Sequence, residues 1–271
     1  MSHALKDEEI KFLKKLEPTL KSKFIITASD EQYSEENDRL SSKIGGVPYW
    51  PVSKKGLFPK INGKYAKLIF QLNLNELSKD FNVKQISTLF PEKGILQFYL
   101  AYQDELYGLY DEKNKPVIIY HENIDEESFL TSEQKAVSLD NEKAPFNLSI
   151  RVKFEESSEL LGPQDEFYQQ EFKELFTGVD TDDEEFMQFY YEYDEFDNSG
   201  SKIGGYAYFT QSDPFINLED DNKLVLLLQL DSNSDDLKMS WGDSGVANWR
   251  IFEKDLANLD FSNLVYTWDC G

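Results

Sequence analysis

Ser42-Lys-Ile-Gly-Gly46 recurs as Ser201-Lys-Ile-Gly-Gly205, and this repetition governs how the rest of the 271-residue chain is read. An aromatic pair follows each copy, Tyr49-Trp50 in the first and Tyr208-Phe209 in the second. Downstream, Lys67-Leu-Ile-Phe-Gln-Leu72 answers to Leu224-Val-Leu-Leu-Leu-Gln-Leu230. Gly46 lies 25 residues before Gln71, and Gly205 lies 24 residues before Gln229. A third block agrees, Gly94-Ile-Leu-Gln-Phe-Tyr-Leu100 against Gly245-Val-Ala-Asn-Trp-Arg-Ile251. One shared pentapeptide can arise by chance, but three blocks in one order mark a duplication. Two long copies are also unlike the many short units of a solenoid.

Each block carries a local expectation. The paired glycines fit turns ahead of strands, because glycine accepts positive φ and close backbone approach. The apolar runs around Gln71 and Gln229 do not alternate, so both faces of those strands are expected to be covered. The blocks after Gly94 and Gly245 alternate and read as half-buried strands. Asn73-Leu-Asn-Glu76 has the spacing of a helix N-cap, residues 7–16 read as an amphipathic helix ended by Pro18, and residues 253–258 and 263–268 read as a helical turn and a last strand.

Residues 155–197 differ in composition, with 16 Asp and Glu against the single base Lys173, and ten Phe and Tyr. Tyr168, Phe172, Leu175 and Val179 fall at helical spacing, as do Phe186, Phe189, Tyr190 and Tyr193. The pattern predicts two acidic helices lying on the sheet, with Asp182, Asp183, Glu184 and Glu185 turned to water. The expected fold class is therefore α+β: one compact, β-rich domain over residues 1–271. Its parts are a first repeat at about 42–104, an acidic helical insert at about 155–197, and a second repeat at about 201–268.

Lys and Arg total 28 and Asp and Glu total 51, giving a net charge of −23. Phosphate backbones and anionic lipid are bound through basic side chains, so neither nucleic acid nor membrane is an expected partner. A basic protein is the partner class such a field attracts. With 20 Phe, 15 Tyr and 4 Trp the chain can fill a core. Cys270 is the only cysteine, so no intrachain disulfide can form. The first ten residues lack the basic and apolar regions of a secretory leader, and the apolar run at 224–228 is far too short to span a bilayer. The expected location is the cytoplasm.

Tests for chemistry mostly exclude it. Gly242-Asp-Ser-Gly245 imitates a serine-protease nucleophile, but that chemistry needs a histidine base and an orienting carboxylate. Only His3 and His121 exist, and neither has a protease context. One Cys and two His, far apart, give no zinc site. Asp231, Asn233 and Asp235 imitate the start of a calcium loop, yet position six is Asp236 and position twelve is Gly242. No phosphate-binding glycine motif is present. No catalytic residue, metal or cofactor is expected. If a ligand binds between the copies, the equivalently placed loop residues are the candidates: Gly45, Gly46 and Trp50, then Gly204, Gly205, Asp213, Trp241 and Asp243.

The chain resembles the YwqG-like family of bacterial proteins, which has no established activity. The resemblance rests on Lys43-Ile-Gly-Gly-Val-Pro48 with Trp50-Pro51, Phe70-Gln-Leu-Asn73, and Pro91-Glu-Lys-Gly-Ile-Leu-Gln-Phe98. It continues through Lys202-Ile-Gly-Gly-Tyr206, Thr210-Gln-Ser-Asp-Pro214, Leu226-Leu-Leu-Gln-Leu-Asp231, Met239-Ser-Trp-Gly-Asp-Ser-Gly245, and Asp255-Leu256 with Phe261. The resemblance implies a single α+β fold with internal duplication and supplies no catalytic residues. Relatives sometimes found beside toxin genes suggest a binding role of the immunity type.

Overall fold

The apolar runs that flank the two Ser-Lys-Ile-Gly-Gly segments pair into one continuous sheet. A computed structural model describes residues 3–109, 112–125, 127–175, 177, 198–214, 224–234 and 236–271. The first copy contributes β1 (Lys21–Ala28), β2 (Lys43–Ile44), β5 (Lys67–Asn73), β6 (Ile95–Leu100) and β7 (Val117–His121), with a side hairpin of β3 (Lys60–Ile61) and β4 (Lys64–Tyr65). The second contributes β8 (Ile150–Glu159), β9 (Lys202–Gly204), β10 (Leu224–Asp231), β11 (Val246–Phe252) and β12 (Leu264–Asp269). The sheet order is β12-β11-β10-β9-β1-β8-β2-β5-β6-β7, antiparallel throughout and curled until nearly closed.

That order is symmetric about its middle, where β1 and β8 pair over eight residues from Lys21↔Glu159 to Ala28↔Val152. Each copy runs through five strands in the same succession. The first strand of each copy, however, lies against the second strand of the other: β1 pairs with β9 and β8 with β2. The two halves thus exchange their leading strands. The registers repeat as well, since Lys43 faces Gln71 and Lys202 faces Gln229. Irregularities at Leu68/Phe70 and Leu226/Leu228 stand three residues before each Gln.

Inside the curl, Phe24, Ile26, Phe70, Phe98, Leu228 and Trp249 belong to one buried core. The strands after Gly94 and Gly245 are not half-buried as their alternation suggested. All six residues of β6 and six of seven in β11 are buried, because the loops that follow β2 and β9 cover the outer face. Helices α1 (His3–Leu16), α2 (Leu74–Asp80), α3 (Ser132–Leu139), α4 (Glu166–Leu175) and α5 (Glu253–Ala257) are short and peripheral. Asn73 caps α2 by accepting from the Asn75 and Glu76 amides, while Glu76 turns away to the Ser42 amide. Among the described residues, no helix is long and apolar enough to cross a membrane.

The expectation of an α+β fold with an acidic helical insert is overturned: the described residues form a β-rich, ten-stranded sheet. Its centre includes residues 155–159, the end of β8. Residues 155–159, Glu-Glu-Ser-Ser-Glu, carry no apolar alternation of their own, and it is the long ladder to β1 that makes the segment extended. Helix does follow in α4, where Tyr168 and Phe172 pack on Phe12 of α1 at ring distances of 5.0 and 5.5 Å. Val179, the stripe from Phe186 to Tyr193, and Asp182, Asp183, Glu184 and Glu185 lie outside the described residues.

Candidate functional site

A polar side chain in a strand covered on both faces must find partners, and each copy solves this in the same way. The Tyr49 amide donates to Gln71 Oε1 at 2.9 Å, as the Tyr208 amide donates to Gln229 Oε1 at 2.8 Å. The Gln71 amide nitrogen donates to the Arg39 and Ser41 carbonyls, and that of Gln229 to the Asn198 and Gly200 carbonyls. One strand further, Gln97 Nε2 and Asn248 Nδ2 donate to the Tyr49 and Tyr208 carbonyls, each at 2.7 Å. These rows pin the glycine loops to the outer face of the sheet.

The copies then diverge. Lys43 is fully buried, and its ammonium donates to the Asp38 and Arg39 carbonyls. Burial pushes its pKa down to about 7. Lys202, also buried, keeps the equivalent bond to the Asn198 carbonyl and in addition meets the Glu159 carboxylate at 2.7 and 2.9 Å, and Lys23 reaches the same carboxylate at 2.7 Å. Glu159 further accepts from the Tyr206 amide, the place taken in the first copy by the Tyr33 hydroxyl accepting from Val47. Gly46 and Gly205 sit beneath these acceptors at φ +70° and +73°. A Cβ on Gly46 would strike the Tyr33 ring at 2.5 Å, and one on Gly205 would strike the Glu159 carboxylate. The glycines thus admit protein groups of the chain itself.

In the first copy the outer face is filled. Trp50, Phe58, Ile61, Leu68 and Tyr99 form a second buried cluster, closed over by the β3–β4 hairpin. Trp50 stacks edge-on against His121 at 5.1 Å. Lys54 Nζ stands 3.2 Å from His121 Nδ1, and His121 Nε2 stands 3.0 Å from Gln97 Oε1. A lysine can only donate, so Nδ1 accepts and Nε2 carries the proton. Burial, helped by the Lys54 charge, pushes His121 down to about 3, which keeps it neutral at pH 7.

In the second copy the position of Tyr99 is held by Arg250, two residues past Asn248. Arg250 makes a forked pair to Asp213 at 2.6 and 2.8 Å and lies over the Phe209 ring at 5.0 Å. Gly205, Asp213 and Arg250 line a pocket of about 160 Å³. On the other side of Phe209 opens a larger cleft of about 820 Å³. One wall is the loop at 209–214 together with all of β12; the other is Gly108, Leu109, Glu112, Lys115, Pro116 and Val117 of the first copy. The cleft therefore lies between the copies, where the two terminal strands of the sheet approach each other. Contacts bridge this seam on either side: Trp268 Nε1 donates to the Leu106 carbonyl at 2.8 Å, and Tyr120 packs on Phe261 at 5.7 Å.

Of the eight residues expected at a ligand site, Gly205 and Asp213 share the smaller pocket. Gly45 and Gly204 pack against Phe146 and Ile86. Trp50 is core in the first copy, and Trp241 is fully buried beside Trp249 at 5.8 Å. Asp243 is exposed on a turn whose carbonyl accepts from Gly271. Asp231 closes its own turn by accepting from the Asn233 amide, and Asp235 lies outside the described residues. Sequence reading missed Arg250 and the residues of β12 that line the cleft. Arg250 carried a signal, since Tyr99 to Arg250 is the one exchange of an apolar for a charged residue in the third aligned block.

Residues 42–270 match the family model described as a domain of unknown function (DUF1963). Comparison with curated proteins finds no match.

Proposed function

The chain belongs to this family of unknown function, and on that premise we propose that it is a non-enzymatic binding protein for a basic macromolecule, with its contact site in the cleft between the copies. The observation that carries this reading is the cleft itself. At about 820 Å³ it has room for a segment of chain, and it also falls in the roughly 300–1,000 Å³ range of small-molecule sites. Its two walls come from the two halves of the duplication. The net charge of −23 supports a basic partner by steering it on encounter. The pocket beside Arg250 favours a second reading, a small-molecule or carbohydrate site, but at about 160 Å³ it is below that size range. The resemblance to the YwqG-like family adds a specific form for the role, a cytoplasmic inhibitor of the immunity type that engages a basic toxin.

A photo-crosslinking amino acid placed at Ser262, on the cleft wall, should capture proteins of high isoelectric point in cells that make this chain naturally. The same group at Leu57, exposed and outside the cleft, should not. Equal capture from both positions, or capture of acidic proteins alone, would overturn the reading.

A further inference from the structure

We propose that the cleft takes an extended, basic polypeptide segment as an added strand on the free edge of β12. This rests on the binding reading above and names the mode of contact. All six residues of β12, Leu264 to Asp269, line the cleft. Successive side chains of a strand point to opposite faces, so a cavity touching every one of six runs along the edge and not over a face. The other edge of β12 is fully used, paired with β11 from Val246↔Asp269 to Ile251↔Leu264. Among the described residues no strand pairs with the free edge. In an antiparallel ladder alternate residues turn their N–H and C=O groups to each side, so three of the six present both groups to the cleft. Only another extended backbone matches that repeat, over about 20 Å at ~3.4 Å per residue.

The facing wall does not complete the ladder. It is formed near this point by Gly108, Leu109, Glu112, Lys115, Pro116 and Val117, and Pro116 has no N–H to give. Three side chains on β12, Tyr266, Thr267 and Asp269, each leave one buried oxygen without a partner among the described residues. Thr267 is 8% exposed, and its Oγ1 has no hydrogen-bond partner among the described residues. Asp269 Oδ2 is fixed by the Gln211 amide at 2.8 Å while Oδ1 is buried and likewise without a partner. The part-exposed Asp269 carboxylate, with one oxygen still unpaired at the end of the strand edge, is matched by a Lys or Arg donor on the added segment. A second copy of this chain would bring −23 against −23, so charge selects a basic partner over self-pairing.

The test pans a phage-displayed library of random dodecapeptides on the full chain and measures resynthesised binders by fluorescence anisotropy. Binders should carry Lys or Arg, and Asp269→Asn or Thr267→Val should weaken them about tenfold. Backbone N-methylation should weaken binding at every second position of the peptide and be tolerated at the positions between. Binders that depend on Asp269 but show no two-residue period would overturn strand addition while leaving the cleft as a binding site. Binders indifferent to both substitutions would overturn the cleft as well. Sedimentation that reveals a dimer abolished by the same substitutions would make a second copy the occupant and overturn the proposal.

Discussion

Glu159 belongs by sequence to the acidic stretch at 155–197, yet it is 7% exposed and lies between two lysines. Its equivalent in the first copy is a tyrosine, Tyr33, and the difference can be weighed by substitution. Glu159→Gln keeps the acceptor for the Tyr206 amide but removes the charge that balances Lys23 and Lys202. Breaking a buried pair by removing one partner costs about 3–5 kcal/mol. Tyr33→Phe removes one neutral hydrogen bond to Val47, at about 1 kcal/mol. Thermal melts should therefore show a much larger loss for Glu159→Gln, and equal losses would refute the assignment of Glu159 as the hub of the second copy. The polar rows were half legible. A Gln inside each non-alternating apolar run announced a buried side chain needing partners, but those partners are carbonyls of loops, which no residue code reveals.

The duplication itself was readable because glycines, Gln and spacing recur, and the third strands of both copies fall where the repeat placed them. The exchange of β1 and β8 was not. Those leading strands share no motif, and their pairing joins residues more than a hundred positions apart, a choice that local periodicity does not make. The site was hidden for the same reason, since its walls come from the ends of both copies. Exchange has a consequence for assembly. Each half lacks the central ladder unless the other supplies it, and an isolated half would leave β1 or β8 with a bare edge. A chain divided after the exposed Glu142 should give fragments 1–142 and 143–271 that show no cooperative melt alone. Co-expressed, they should purify together and melt as one unit. Independent cooperative folding of either fragment would mean that the halves do not depend on the exchanged strands.

Over the whole molecule, 51 acids against 28 bases set repulsion against the local ion pairs, and distance decides between them. A folded chain of this length has a radius of gyration of about 19 Å. At 10 mM salt the Debye length is about 30 Å, so every carboxylate repels every other across the protein; at 0.15 M it is about 8 Å and only neighbours interact. The pairs that salt could weaken are mostly exposed, such as Lys153 with Asp30 and Lys115 with Glu112. Pairs of that kind contribute about 0–1 kcal/mol each. The buried pair of Lys202 with Glu159 is shielded from solvent ions and should respond little, and the part-buried fork of Arg250 on Asp213 should respond less than the exposed pairs. Adding NaCl should therefore stabilise the fold, the reverse of what a molecule held by surface ion pairs would do. Each kcal/mol gained moves the melting temperature of a chain this size by roughly 2–4 °C. Calorimetry from 10 mM to 0.5 M NaCl should show a rise that is largely complete near 0.15 M, once the screening length falls below the molecular radius. A melting temperature that falls over the same range would show that the exposed pairs outweigh the excess of acid, and the field invoked for steering a basic partner would be weaker than the composition implies.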